Sequence, residues 1–234
     1  MTDWATEQEE TLRRMSGAGN YNAWLLERAE PYLGSRVLDA GAGTGTFTEL
    51  LAERAEHVIA LEPEAEFAAI LHRRFDGRAG IEIVDLDATK LEPDALGGPV
   101  DAIVCFNVLE HIADDRAALE RYRDCLAPGG SLLLLVPAHP TLYGEIDRVL
   151  QHERRYTAAG LRAVLRRTGF EIRELRAVNP VGAAGWLVTG RVLKRDQIPS
   201  TPLKTFDLLV PALRALDRLR LPFGLSLWAV ARRP

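Results

Sequence analysis

Short, uninterrupted apolar runs alternate along the chain with longer stretches whose apolar residues recur every three or four positions. Arg36-Val37-Leu38-Asp39 is the first such run, and Phe47 to Ala55 follows it with Phe47, Leu50 and Leu51 at helical spacing. Val58 to Leu61 is followed by a helical stretch from Glu64 to Phe75, and Ile81 to Val84 is the third run. Ala102 to Phe106 is the fourth, a helix is predicted from Asp114 to Leu126, and Leu132 to Val136 is the fifth run. Strands that are apolar on both sides, separated by helices, belong in a parallel sheet covered on both faces. Right-handed crossovers then give a doubly wound, mostly parallel α/β core. Residues 1–34 read as an amphipathic helical cap with a break near Ser16 to Gly19. Beyond Val136, Thr157 to Arg167 reads as a helix, and Phe170 to Val178 and Leu225 to Ala231 as strands. Gly182, Gly185, Gly190, Pro199, Pro202 and Pro211 punctuate the stretch between those strands, which reads as an insertion. The expected organisation is one domain over 1–234: a cap at 1–34, a ligand-binding core at 35–137, and a substrate-side lid with insertion helices and final strands at 138–234.

Composition narrows the function. The 234 residues, 47% hydrophobic and 26% charged, can bury a full core, which excludes disordered, collagen-like and disulfide-framework classes. With 33 acidic side chains against 29 lysines and arginines the formal charge is −4, so no global field gathers nucleic acid or anionic lipid. Cys105 and Cys125 form no framework, and a reduced cytoplasmic setting is expected. Met1 to Glu10 is polar and acidic, unlike a secretion signal. The longest apolar run, Leu132 to Pro137, falls far short of the roughly 20 residues of a spanning helix.

The first run ends in Asp39-Ala40-Gly41-Ala42-Gly43-Thr44-Gly45-Thr46. A glycine-rich turn between strand and helix lets a ligand approach the backbone closely. No lysine follows, as a triphosphate loop requires, and Thr46 stands where the dinucleotide fingerprint has its third glycine. The carboxylate of Asp39 favours a cationic ligand over a pyrophosphate. Glu62 closes the second run about 20 residues on, where a carboxylate can accept bonds from both ribose hydroxyls. Asp87 closes the third and can accept from an adenine amino group, with Asp85 competing for the task. Three acids at the carboxyl ends of neighbouring strands line one crevice.

This constellation resembles the class I S-adenosylmethionine-dependent methyltransferases, of the bacterial small-molecule type. The resemblance covers roughly Val37 to Pro137 and rests on Val37 to Gly45, Glu62, Asp87-Ala88, Asp101 to His111 and the turn Leu126 to Gly130. It implies a Rossmann-like sheet and S-adenosyl-L-methionine as cofactor. Asp39, Gly41, Ala42, Gly43 and Gly45 would hold the methionine end, Glu62 and the adjacent Pro63 the ribose, and Asp87 with Ala88 the adenine. Asn107 would lie near the methyl group, and Tyr21 in the cap would close over the cofactor.

On the acceptor side, an oxygen or nitrogen nucleophile can need a base. His111, in Asn107-Val108-Leu109-Glu110-His111, titrates near neutrality and is the first candidate; its alternative task is bracing the next helix. His152 and Tyr156 are further catalytic candidates, in a Pro137 to Thr157 loop that also carries Tyr143, Asp147, Arg154 and Arg155 and would roof the crevice. Some O-methyltransferases hold a divalent metal on Glu-x-x-Glu-His plus a later histidine. The positions here are Asn107, Glu110, His111 and His152, and the amide of Asn107 is a poor ligand for a hard cation. No metal is therefore assigned, and metal-assisted O-methylation stands as an alternative.

Phe106-Asn107-Val108-Leu109 is not the motif of amino-methylating DNA enzymes, and Cys105 lies inside a strand, so no nucleic-acid partner is expected. Trp24 reads as core packing. Phe206, Leu209, Leu213 and Leu216 share a face of the basic stretch 204–221, with Pro211 starting a second helix. That stretch reads as a core-facing stripe, with weak contact to a membrane or lipid substrate as the alternative. The expected partner is a small-molecule acceptor, and a homodimer is compatible with the sequence. A nicotinamide oxidoreductase, and a cofactor-binding protein of the same fold without methyl transfer, whether a mere module or one scaffolding another reaction, are the competing functional classes.

Overall fold

A computed structural model describes residues 17–186, 207–212, 214 and 221–234. Among the described residues seven strands form one sheet: β1 (Arg36–Ala40), β2 (His57–Leu61), β3 (Ile81–Val84), β4 (Val100–Phe106), β5 (Leu126–Pro137), β6 (Glu171–Val178) and β7 (Ser226–Arg232). Their order is β3-β2-β1-β4-β5-β7-β6. The first five are mutually parallel, and β7 slots between β5 and β6 antiparallel to both.

Alternate residues of the central strands enter two different cores, which is why these runs are apolar throughout. Leu38, Ile59, Leu61, Ile103, Cys105, Leu132 and Leu134 pack on one face. There they meet Leu119 and Tyr122 of α4 (Asp115–Cys125) and Leu161 and Leu165 of α5 (Ala158–Arg167). Val37, Val58, Val104, Phe106, Leu133 and Leu135 pack on the other. They meet Leu25 and Leu26 of α1 (Gly19–Ala29) and Leu51 of α2 (Thr46–Ala52). α3 (Ala65–Arg74) contributes Leu71 to a small cluster with Ala42, Ala60 and Phe75. The helices begin where the polar signals stand: Asp114 accepts from the Ala117 N–H at 2.9 Å and Thr157 from the Gly160 N–H at 2.9 Å.

Most differences from the expected elements are end shifts, but some carry a reason. β5 reaches back to Leu126, because Leu126 pairs with Val100 and the Gly129–Gly130 segment exchanges backbone bonds with Arg233. The turn expected before the fifth strand is thus part of the sheet edge. Pro211 lies inside the helical residues 207–212 and does not start a helix. There Val210 is buried while Leu209 is half exposed, so the buried face differs from the expected stripe. Phe206, Leu213, Leu216 and residues 215–220 lie outside the described residues, as does the cap before residue 17. Trp24 packs against the second core as expected. Among the described residues no helix is long and apolar enough to cross a membrane.

Because β1, β2, β4 and β5 are parallel, their carboxyl ends share one edge. That edge carries the 41–45 loop, the 62–64 turn, the 107–111 turn and the 138–157 loop.

Candidate active site

The 41–45 loop is a chain of left-handed turns. Gly41, Gly43 and Gly45 have φ of 74°, 56° and 87°, a region L side chains enter at a cost. The Gly41 and Ala42 N–H groups both donate to the Leu61 carbonyl, at 2.8 and 3.0 Å. A Cβ on Gly41 would lie 2.5 Å from Cγ2 of Val108, so the loop presses against the turn that follows β4.

Two buried carboxylates flank this loop: Asp39 holds the start of α2 and Glu62 holds the loop itself. Asp39, 4% exposed, accepts the Thr48 hydroxyl at 2.7 Å. Glu62, 5% exposed, accepts the Gly43 N–H at 2.7 Å and the Glu64 N–H at 3.1 Å. Burial pushes Asp39 up to about 7; the Thr48 bond opposes the rise and the Glu62 charge adds to it. Burial raises Glu62 as well, against its two N–H bonds. Each carboxylate has further lone pairs to offer, and two buried negative groups side by side favour a cationic ligand.

Of the remaining expected cofactor residues, Pro63, Asp87 with Ala88, and Asn107 follow the ends of β2, β3 and β4, while Tyr21 lies in the second core. Pro63 is exposed directly after Glu62. Asp87 is exposed and caps a short turn at Ala88–Lys90, accepting the Thr89 N–H at 2.7 Å and its hydroxyl at 2.6 Å; the hydroxyl bond holds its carboxyl below the usual range. Ala88 is buried. Asp85, the competing acid, faces His72 at 3.2 Å. Asn107 is exposed at φ 54°, a left-handed conformation asparagine tolerates, and its N–H donates to Leu135 at 2.7 Å. Tyr21 is buried in α1, with its ring 5.7 Å from that of Trp24. Thr48 was not legible as a site residue, since nothing in the sequence marks a threonine nine positions after Asp39.

A second group forms where the turn after β4 meets the loop after β5. The Glu153 N–H donates to the Glu110 carbonyl at 2.8 Å and Arg154 Nη2 to the Ala113 carbonyl at 2.7 Å, which stitches the two segments together. This brings Glu110, His111 and His152 together, with one ligand-type atom from each within 4.8 Å of the others. The His111 and His152 rings meet edge to face at 4.7 Å. His152 Nε2 lies 4.0 Å from Glu110 Oε1, too far for a hydrogen bond. Glu110 is 0% exposed, and neither carboxyl oxygen has a hydrogen-bond partner. Burial pushes it up to about 8. Burial, helped by His152, pushes His111 down to about 4, while a bond to the Leu150 carbonyl pulls the other way. His111 does not cap α4, a task taken by Asp114.

The other loop residues brace. Asp147, fully buried, accepts from His152 Nδ1 and Arg155 Nε, each at 2.8 Å; these bonds outweigh burial and hold its carboxyl below the usual range. The Tyr156 hydroxyl donates to Asp115 at 2.8 Å, and burial with the Asp115 carboxylate drives the phenol far above its usual range. Of the three expected catalytic side chains, the two histidines stand together and Tyr156 is turned towards α4. Cys105 is buried as a free thiol within β4, as expected.

A buried carboxylate without a partner costs several kcal/mol when ionised, so such a group retains a proton or meets a cation. One carboxylate and two imidazoles form a donor set suited to zinc, manganese or iron. The sequence assigned no metal because of Asn107; the geometry supplies three donors without it.

A methyltransferase-domain family model matches residues 10–175. The chain is 31% identical over 175 residues to a Mycolicibacterium smegmatis protein named a probable S-adenosylmethionine-dependent methyltransferase, covering 71% of this chain and 66% of that one. It is 35% identical over 112 residues to the ubiquinone biosynthesis O-methyltransferase of Xylella fastidiosa, covering 47% of this chain and 44% of that one. The aligned part thus spans less than two thirds of either relative. The fold matches that of the N-methyltransferase NodS from Bradyrhizobium japonicum, solved with S-adenosyl-L-homocysteine, at TM-score 0.59 and 16% identity, over 92% of this chain and 86% of that one. With the matched span reaching from the cap to the sixth strand, the chain belongs to the methyltransferase-domain family, in the class I S-adenosylmethionine-dependent fold.

Proposed function

We propose that this chain transfers a methyl group from S-adenosyl-L-methionine to an oxygen or nitrogen of a small-molecule acceptor. The observation that carries the reading is the pair of buried carboxylates, Asp39 and Glu62, flanking a loop of three left-handed glycines, with Glu62 accepting the Gly43 N–H. When bound, the cofactor supplies an electrophilic methyl on a sulfonium that takes up the electron pair of the breaking carbon–sulfur bond. Asp39 and the Gly41 to Gly45 loop hold the cationic methionine end, Glu62 and Pro63 the ribose, and Asp87 with Ala88 the adenine. Asn107 borders the methyl, and Tyr21 covers the crevice. The acceptor's proton passes to His111 or His152, both of which face the Glu110 group. The experiment is calorimetric titration with S-adenosyl-L-methionine and with NADH, followed by labelled-methyl incorporation into metabolite extracts. Binding of NADH alone overturns the reading, and cofactor binding without any incorporation points to a module that does not transfer.

A second, narrower reading is oxygen methylation assisted by a divalent cation held by Glu110, His111 and His152. It is favoured by Glu110, which is buried without a hydrogen-bond partner beside two imidazoles. A bound cation lowers the pKa of an acceptor hydroxyl, the chemistry an oxygen nucleophile needs. The relative from Xylella fastidiosa is named an O-methyltransferase, which is consistent with an oxygen acceptor. Titration of magnesium, manganese and zinc into chelator-treated protein tests it; no heat and no rate change for all three overturns it.

A further inference from the structure

Asp147 lies outside the Glu110, His111, His152 group, yet it is more tightly held than any of them. It is fully buried; its Oδ1 accepts both His152 Nδ1 and Arg155 Nε at 2.8 Å, and its Oδ2 accepts the Gly144 N–H at 2.9 Å. Arg155 is anchored in turn by a bond to the Ala138 carbonyl at 3.1 Å, at the end of β5. The His152 carbonyl accepts the Tyr143 hydroxyl at 2.7 Å, which fixes the backbone of that residue too.

This arrangement sets the ring. An ionised carboxylate only accepts, so the His152 nitrogen facing it carries the hydrogen. In the neutral ring the lone pair is then on Nε2, the atom 4.0 Å from Glu110 Oε1. Metal–nitrogen and metal–oxygen bonds of roughly 2.0–2.2 Å each allow one ion to touch both atoms across that gap. We propose that Asp147 is a positioning residue for a cation centre at Glu110, His111 and His152, fixing the tautomer and orientation of His152 while Arg155 and Gly144 hold Asp147 itself. The proposal rests on the divalent-cation reading above. The His111 ring meets that of His152 edge to face at 4.7 Å, so the fixed ring of His152 also bears on its neighbour. Outer partners of this kind hold ligating histidines ready, and their loss typically weakens metal binding about 10–100-fold. A mere loop brace would not affect the ring nitrogen.

Two measurements test this. Zinc titrated into chelator-treated wild type and Asp147→Asn should bind one equivalent in both, with the variant about 10–100-fold weaker while its circular dichroism is unchanged. Equal affinity in the two proteins overturns the role of Asp147 and leaves the cation reading standing; no binding to wild type overturns the cation reading and this proposal with it. Long-range nitrogen–proton NMR on the metal-free wild type reads the tautomer directly, so the test survives a variant that fails to fold. The expected result is a hydrogen on Nδ1 of His152, and a hydrogen on Nε2 overturns the proposal.

Discussion

The sharpest consequence of an unpartnered Glu110 is an inverted pH dependence of stability. A carboxyl whose folded pKa is raised binds more protons folded than unfolded, so its contribution is full at low pH and declines as pH rises. For Glu110 the window runs from the ordinary glutamate value of 4.5 up to about 8. Integrating between those two values, the metal-free protein loses about 2–3 kcal/mol of stability between pH 6 and pH 9 through this group alone. Glu110→Gln keeps the shape and removes the titration. Whatever the amide costs in the core is the same at both pH values, so the difference isolates the carboxyl. Urea unfolding of wild type and variant, in chelator, at pH 6 and pH 9 measures it. The wild type should lose about 2–3 kcal/mol more than the variant, and divalent cation at pH 9 should restore the wild type only. Identical pH sensitivity in the two proteins would refute the claim that burial governs Glu110.

Asp39, raised to about 7, should make the affinity for S-adenosyl-L-methionine climb between pH 6 and pH 8, roughly threefold to tenfold, because a cation selects the ionised carboxylate. Asp39→Asn should abolish that climb and weaken binding at pH 8 by about tenfold or more; calorimetry at both pH values checks it. Gly41→Ala places a methyl 2.5 Å from Val108 at φ 74°, and should cost about 1–3 kcal/mol in urea unfolding. Adding Val108→Ala should recover part of that, and strict additivity of the two changes would deny the contact. Tyr156→Phe should cost about 1–2 kcal/mol by stripping Asp115 of its hydroxyl partner, with methyl transfer within about threefold of wild type; a hundredfold slower rate would restore Tyr156 as a catalytic residue.

The sheet was legible because its strands are apolar on both faces. A run such as Ile103 to Cys105 can only lie between two helical layers, and it does. The glycine loop was legible for a related reason, since three glycines at alternate positions mark a backbone that needs left-handed turns. What the sequence hid were contacts made by folding distant segments together. Glu110 and His152 lie 42 positions apart, and bonds such as the one from the Glu153 N–H to the Glu110 carbonyl make them neighbours. The same holds for Asp147, which looked like one charge among several in a polar loop and proved to be buried at its centre. The bond of Tyr156 to Asp115 was not legible either, because a place four positions after His152 says nothing about which way a ring turns. The stripe expected at 204–221 failed at Leu209 because a single proline-bearing stretch does not fix the rotation of its helix.

The antiparallel β7 imposes an order of events on folding. β5 and β6 flank it without touching each other, so each keeps a naked edge until the segment from Ser226 onward arrives. Ribosome-bound intermediates shorter than that point leave two unpaired strand edges at once, one of them on the apolar β5, a surface that invites chaperones or self-association. Sealing the groove is thus the slow, late act of assembly, and it depends on contacts spanning the whole insertion.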